Sequence, residues 1–173
     1  MACADFKPEQ LVFVSDSAEV PHSQLRPSSE WHMHLAIYKA FADAGAIVHC
    51  HSRYATTLAS MRKAIPPYHY MVAVAGGDDI PCADYATFGT TVLADNILAA
   101  LEQRKACLMA NHGQIAYAGT IEKALGLALQ VEDLAAGYYQ TLTLGGPVLL
   151  SQADMAEVLE KFQSYGAQPG TES

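Results

Sequence analysis

Seven histidines stand in this chain, and three of them sit where they could grip one ion. His49 and His51 lie two residues apart at the polar end of the apolar run 46–51 (AIVHCH), which reads as a strand. Side chains alternate along a strand, so both imidazoles point to one face, about 7 Å apart at their Cα atoms, with Cys50 turned away. That pair can hold a divalent cation, though hydrogen-bonded strand-end histidines would look the same. His112 follows a second strand-like run, 105–110, and stands between Asn111 and Gly113. Glycine permits close backbone approach, and α/β proteins place their sites just outside strand ends. Alone, His112 would read as a loop histidine. With His49 and His51 it completes three neutral imidazoles with an open position, the pattern of a catalytic rather than a structural zinc; Co²⁺ or Mn²⁺ would also fit.

A carboxylate beside such an ion could remove a proton from the carbon next to a carbonyl, and Glu30 is the candidate base. From the residues alone, a first-turn helix charge is the simpler reading of Glu30. Glu30 and His34 share a helix face, but His34 also falls on the apolar stripe and reads as a core histidine. His22, His32 and His69 read as loop or surface residues. Tyr68 and Tyr70 could each offer a phenolic proton. Ser28 and Ser29 sit at a helix start, where free amides favour an anion such as phosphate. The run 76–79 (GGDD) carries two aspartates that would repel an anion, so it reads as a turn.

The elements that must position these groups alternate between strand and helix, which indicates an α/β layered protein. Strands are expected at 11–15 (LVFVS), 46–51, 70–75 (YMVAVA) and 105–110, and helices at 28–44, 53–63, 89–103, 120–144 and 151–164. A serine at 28–29 should cap the first helix, Thr120 the long one, and Ser151 with Asp154 the last.

The chain has 173 residues, with 10 Lys and Arg against 18 Asp and Glu, a net charge of −8. That length suits one domain, and the acidic balance argues against a nucleic-acid backbone as partner. Only 16% of residues are charged, where about 25% is usual, which points towards an oligomer. No apolar stretch approaches the roughly 20 residues needed to span a bilayer, and no secretion signal is visible. Four scattered cysteines without CxxC spacing fit a reduced, cytoplasmic protein.

Taken in order, 28–31 (SSEW), 47–52 (IVHCHS), 65–71 (IPPYHYM), 75–77 (AGG), 80–82 (IPC), 85–90 (YATFGT), 111–113 (NHG) and 157–166 (EVLEKFQSYG) resemble the class II aldolase/adducin family. The resemblance covers nearly the whole chain. It implies a three-layer α/β/α sandwich around a mainly antiparallel, mixed sheet, with residues 1–166 as one domain and a frayed tail at 167–173. It also implies a cyclic homotetramer with active sites between subunits and a small phosphorylated sugar as substrate. His49, His51 and His112 would hold zinc, with Glu30 as fourth ligand until substrate binds and Glu30 leaves to act as acid and base. Tyr70 would come from the adjacent subunit to protonate an aldehyde oxygen, and Tyr165 would help close the site. Phe88 and Phe162 would form its apolar wall, and Ser28 and Ser29 would contact phosphate.

A glutamate at position 30 favours an aldolase over the similar epimerases, which carry aspartate there. The three histidines separate the chain from adducin-like members. Family members carry roughly forty further N-terminal residues with two more phosphate loops, by resemblance alone. The resemblance therefore leaves Ser28 and Ser29 as the expected phosphate contact.

Overall fold

The computed structural model of this chain describes residues 7–21 and 25–163. Its main elements are α1 (Trp31–Ala40), β1 (Ala46–Cys50), α2 (Arg53–Ser60), β2 (Cys82–Ala83), α3 (Thr91–Ala100), β3 (Ala106–Met109), β4 (Gly113–Ala118), α4 (Ile121–Thr143) and α5 (Gln152–Phe162). The described strands form one sheet in the order β1-β4-β3-β2. β4 pairs antiparallel with both β1 and β3, while β2 runs parallel to β3, so the sheet is mixed and mainly antiparallel.

β3 and β4 are buried on both faces and, Gln114 aside, mainly apolar, and that is why the sheet lies in the middle of the molecule. Ala106 and Leu108 of β3, with Ala116 of β4, face a core built from α2, α4 and the segment 70–75. Cys107, Met109, Ile115 and Tyr117 alternate to the other face and pack with Met33 and Ile37 of α1 and Leu93 and Ile97 of α3. Helices thus cover both sides: an α/β/α sandwich, as expected. Burial, followed by the neighbouring Cys82, pushes the Cys107 thiol far above its ordinary range.

Three helix starts follow their cap residues. Thr90 Oγ1 accepts from Leu93 N at 3.3 Å, and Thr120 Oγ1 from Lys123 N at 3.3 Å. Ser151 and Asp154 form a reciprocal capping box, with Ser151 N donating to Asp154 Oδ2 at 3.0 Å and Asp154 N to Ser151 Oγ at 3.2 Å. α1 departs from expectation. It begins at Trp31 with Glu30 in the cap position, and no side chain caps it; Ser28 Oγ instead accepts from Glu30 N at 3.3 Å.

Four sheet expectations change, one of them being β2 at Cys82–Ala83, which pairs with β3 where no strand was expected. Residues 11–15 form no strand, because no described strand offers them a ladder, and Leu11 and Phe13 stand 72% and 64% exposed. Tyr70–Ala75 is a 3-10 helix, not a strand. His69 Nδ1 accepts from Met71 N at 3.1 Å to start it, and Gly76 ends it in the left-handed region at φ 91°. A six-residue apolar run buries equally well either way, so its pattern could not decide. β4 was absent from the expected strands, yet it is the strand that joins β1 to β3. The run 76–79 does turn, and Arg104 clamps it through Asp78 at 2.7 Å and Asp79 at 2.8 Å. No described helix is long and apolar enough to cross a membrane, and Cys50, Cys82 and Cys107 are free thiols.

Candidate metal centre

The sheet aims two elements at one point. His49 lies opposite Ile115 in the β1–β4 ladder, and its Nδ1 is 2.8 Å from the carbonyl oxygen of Gln114. A carbonyl only accepts, so Nδ1 carries the proton and Nε2 presents a lone pair. His51 follows the last ladder pair, Cys50 with Gln114. His112 sits in the short turn between β3 and β4, where Asn111 adopts φ 55°. The end of α2 holds that turn: Asn111 N donates to Ala59 O at 2.9 Å, and Arg62 Nε donates to Asn111 Oδ1 at 3.0 Å. Gly113 lets the turn meet β1. A Cβ there would stand 2.5 Å from the Cys50 carbonyl oxygen and 2.9 Å from His51 Cδ2.

Glu30 arrives from the start of α1. Its Oε2 lies 3.1 Å from His49 Nε2, and its Oε1 lies 2.9 Å from His112 Nε2. His49 Nε2 and His51 Nε2 are 3.1 Å apart. One ligand atom from each of Glu30, His49, His51 and His112 falls within 4.8 Å of all the others. Glu30 Oε1 is buried without a hydrogen-bond partner despite its closeness to His112. A buried carboxylate oxygen in that state calls for a positive partner. Lone pairs of imidazole and carboxylate converging on one point are the donor set of a zinc-type cation, so the residues fit such an ion. Burial pushes the imidazole pKa values of His49 and His112 down, more than Glu30 raises them, which keeps their lone pairs free.

Two cavities meet at this cluster. The larger, about 840 Å³, is lined by Glu30, His49, Ser28 and His34 among apolar residues such as Phe13 and Trp31. The smaller, about 420 Å³, is lined by Glu30, His51, His112, Ser29, Tyr85 and Phe88. Ser28 lines the larger cavity and Ser29 the smaller, with Glu30 lining both. Phe88 is 63% exposed at the smaller one. His34 is no plain core histidine: it borders the cluster, and burial followed by the nearby His49 lowers its pKa. Tyr70 is 47% exposed and lines neither cavity, and neither does Phe162 on α5. Tyr165 lies outside the described residues. Sequence reasoning passed over Gln114, Ser52 and Glu132, which stand behind the histidines; Ser52 adjoins the HxH run, while Gln114 and Glu132 reach it only through the fold.

A family model described as "Class II Aldolase and Adducin N-terminal domain" matches residues 1–139, and the chain belongs to this family. Its fold is that of a solved structure titled L-fuculose 1-phosphate aldolase, with a TM-score of 0.88 at 41% identity over 92% of this chain and 75% of that one. Among curated proteins, the chain is 45% identical over 166 residues to the 5-methylthioribulose-1-phosphate/5-deoxyribulose-1-phosphate aldolase of Rhodospirillum rubrum, covering 96% of this chain and 75% of that protein. It is 46% identical over 157 residues to the L-fuculose phosphate aldolase of Escherichia coli K12, covering 90% of this chain and 73% of that protein.

Proposed function

We propose that this chain is a divalent-metal aldolase, a lyase that cleaves a ketose 1-phosphate into dihydroxyacetone phosphate and a small aldehyde. The convergence of Glu30, His49, His51 and His112 on one point carries this reading. Zinc is the expected ion, with His49, His51 and His112 as lasting ligands and Glu30 as a displaceable fourth. Once bound, the ion supplies Lewis-acid polarisation of the oxygens beside the bond that breaks.

The rest of the chemistry belongs to the chain. In the condensation direction Glu30 takes a proton from the carbon of dihydroxyacetone phosphate that will form the bond. Tyr70 Oη, from a neighbouring copy, gives a proton to the aldehyde oxygen. Cleavage runs both transfers backwards. Ser28 and Ser29 bind phosphate with the amides of the α1 start, Phe88 supplies an apolar wall together with Phe162, which lines neither cavity of its own chain, and Tyr165 helps exclude water. A homotetramer, residues 1–166 acting as one domain, and a cytoplasmic location go with this reading. Sedimentation at assay concentration should return the mass of four chains.

L-fuculose 1-phosphate, yielding L-lactaldehyde, is the first substrate to test. Relatives of nearly equal identity bear names for two substrate types, so 5-methylthioribulose 1-phosphate belongs in the same assay. Both share the phosphorylated three-carbon end and differ in the aldehyde released. The decisive experiment couples release of dihydroxyacetone phosphate to a chromogenic reaction, with and without chelator. Cleavage that stops on chelation and returns with Zn²⁺ is expected. His49→Ala should abolish both cation uptake and cleavage; full activity in a metal-free His49→Ala protein would refute the mechanism.

A further inference from the structure

His51 poses a positional problem. It lies one residue beyond the last β1–β4 ladder pair, Cys50 with Gln114, so sheet hydrogen bonds do not fix the backbone that carries its ring. A half-buried polar chain begins at the next residue. Ser52 Oγ receives a hydrogen bond from Gln114 Nε2 at 2.7 Å and donates one to Glu132 Oε2 at 2.7 Å. Glu132 reaches across from α4 and also accepts Tyr54 N and Ala55 N, each at 2.9 Å, which closes the free amides of α2.

Gln114 is fully buried. Its Nε2 also donates to Ala128 O at 3.1 Å, and since a carbonyl can only accept, that bond fixes the orientation of the amide. Its own main-chain carbonyl holds His49 Nδ1. Its Oε1 is buried with no partner. A glutamine with an orphaned oxygen is a costly core residue, since an apolar one would leave nothing unsatisfied.

We infer that Gln114, Ser52 and Glu132 form a positioning relay for the cation: Gln114 grips His49 through its main chain and the residue after His51 through its side chain. Both imidazoles of the HxH pair are thereby locked to one residue of β4 and anchored to α2 and α4. None of the three touches the cation site itself; they act through the orientation of the rings, as partners behind metal ligands do. The inference rests on the reading of the histidine cluster as a cation site.

The test is binding of Co²⁺ to the full chain, by competition with a chromophoric chelator, together with the visible absorption of bound Co²⁺ and the melting temperature of the metal-free protein. Ser52→Ala combined with Gln114→Leu removes both ends of one hydrogen bond and the orphaned oxygen; Glu132 loses one donor but keeps the amides of Tyr54 and Ala55, and the Ala128 carbonyl loses one, so the metal-free melting temperature should fall by only several degrees. Co²⁺ should bind about 10- to 100-fold more weakly, with an altered absorption band, and Ser52→Thr, which keeps the hydroxyl, should restore both. A merely structural role would shift melting and leave affinity and spectrum unmoved. Affinity within twofold of wild type and an unchanged band in the double variant would overturn the relay. Should that variant not fold, Ser52→Ala alone decides on the same criteria. A wild-type chain that takes up no Co²⁺ overturns the cation site, and the relay with it; a wild-type chain that binds as well as the variant overturns only the relay.

Discussion

Glu30 bridges His49 and His112 at rest, yet the proposed reaction asks the same carboxylate to let go and carry a proton. Replacing it with glutamine separates these roles. Glu30→Gln leaves three imidazoles in place, so cation uptake should persist, while turnover should fall by roughly 10²–10⁴, the usual worth of a general acid or base. Wild-type turnover in that variant would remove Glu30 from the chemistry. The histidines add a pH dependence whose sign follows from burial. His49 and His112 hold their protons less tightly than the ordinary value of 6.5 when folded. Between that value and their lowered ones, the unfolded chain binds more protons than the folded one. Stability of the metal-free protein is therefore fullest above pH 6.5 and is lost as pH falls below it. Thermal melts from pH 7.5 to 5.5 check this; a flat profile would mean that burial does not hold these imidazoles neutral.

At the scale of elements, Gly113 is the position where two of them leave no room for a side chain. Gly113→Ala forces a methyl against the Cys50 carbonyl and the His51 ring, and overpacking of this kind costs about 1–3 kcal/mol. The same shift moves His51, so a chelator titration should show weaker cation binding alongside the lower melting temperature. Unchanged values for both would show that the turn relaxes freely.

The elements differed in how plainly the sequence announced them. Long helices with side-chain caps, such as α4 behind Thr120 and α5 behind Ser151, were legible because a cap and a 3.6-residue stripe act within one segment. The HxH pair was legible for the same local reason, since extended backbone puts residues two apart on one face, although β1 ends at Cys50 and His51 follows it by one residue. β4 was not: its residues gain meaning only from β1 and β3 on either side. The 3-10 turn at Tyr70–Ala75 depends on His69 and Gly76 outbidding a strand of equal burial. The cap position of Glu30, too, follows from how the 25–30 loop enters α1 and not from any cap residue. Gln114 was invisible because its role is set by contacts to positions 49, 52 and 128, far off in the chain.

For the whole molecule, the two cores on either side of β3 and β4 make the sheet the part that opens last. Amide hydrogen exchange should find the slowest protons in 106–109 and 114–117, at rates set by global unfolding. Faster exchange there than in α1 would contradict the sandwich as described.

The cluster straddles this difference in stiffness. Three imidazoles hang from the sheet end and its tight turn, while the carboxylate hangs from the start of a helix that no side chain caps. The proposed reaction asks the carboxylate to swing out while the three imidazoles hold still. Under that proposal an ion gripped this way would keep its seat when Glu30 departs, and each cycle would ask only one short loop to move.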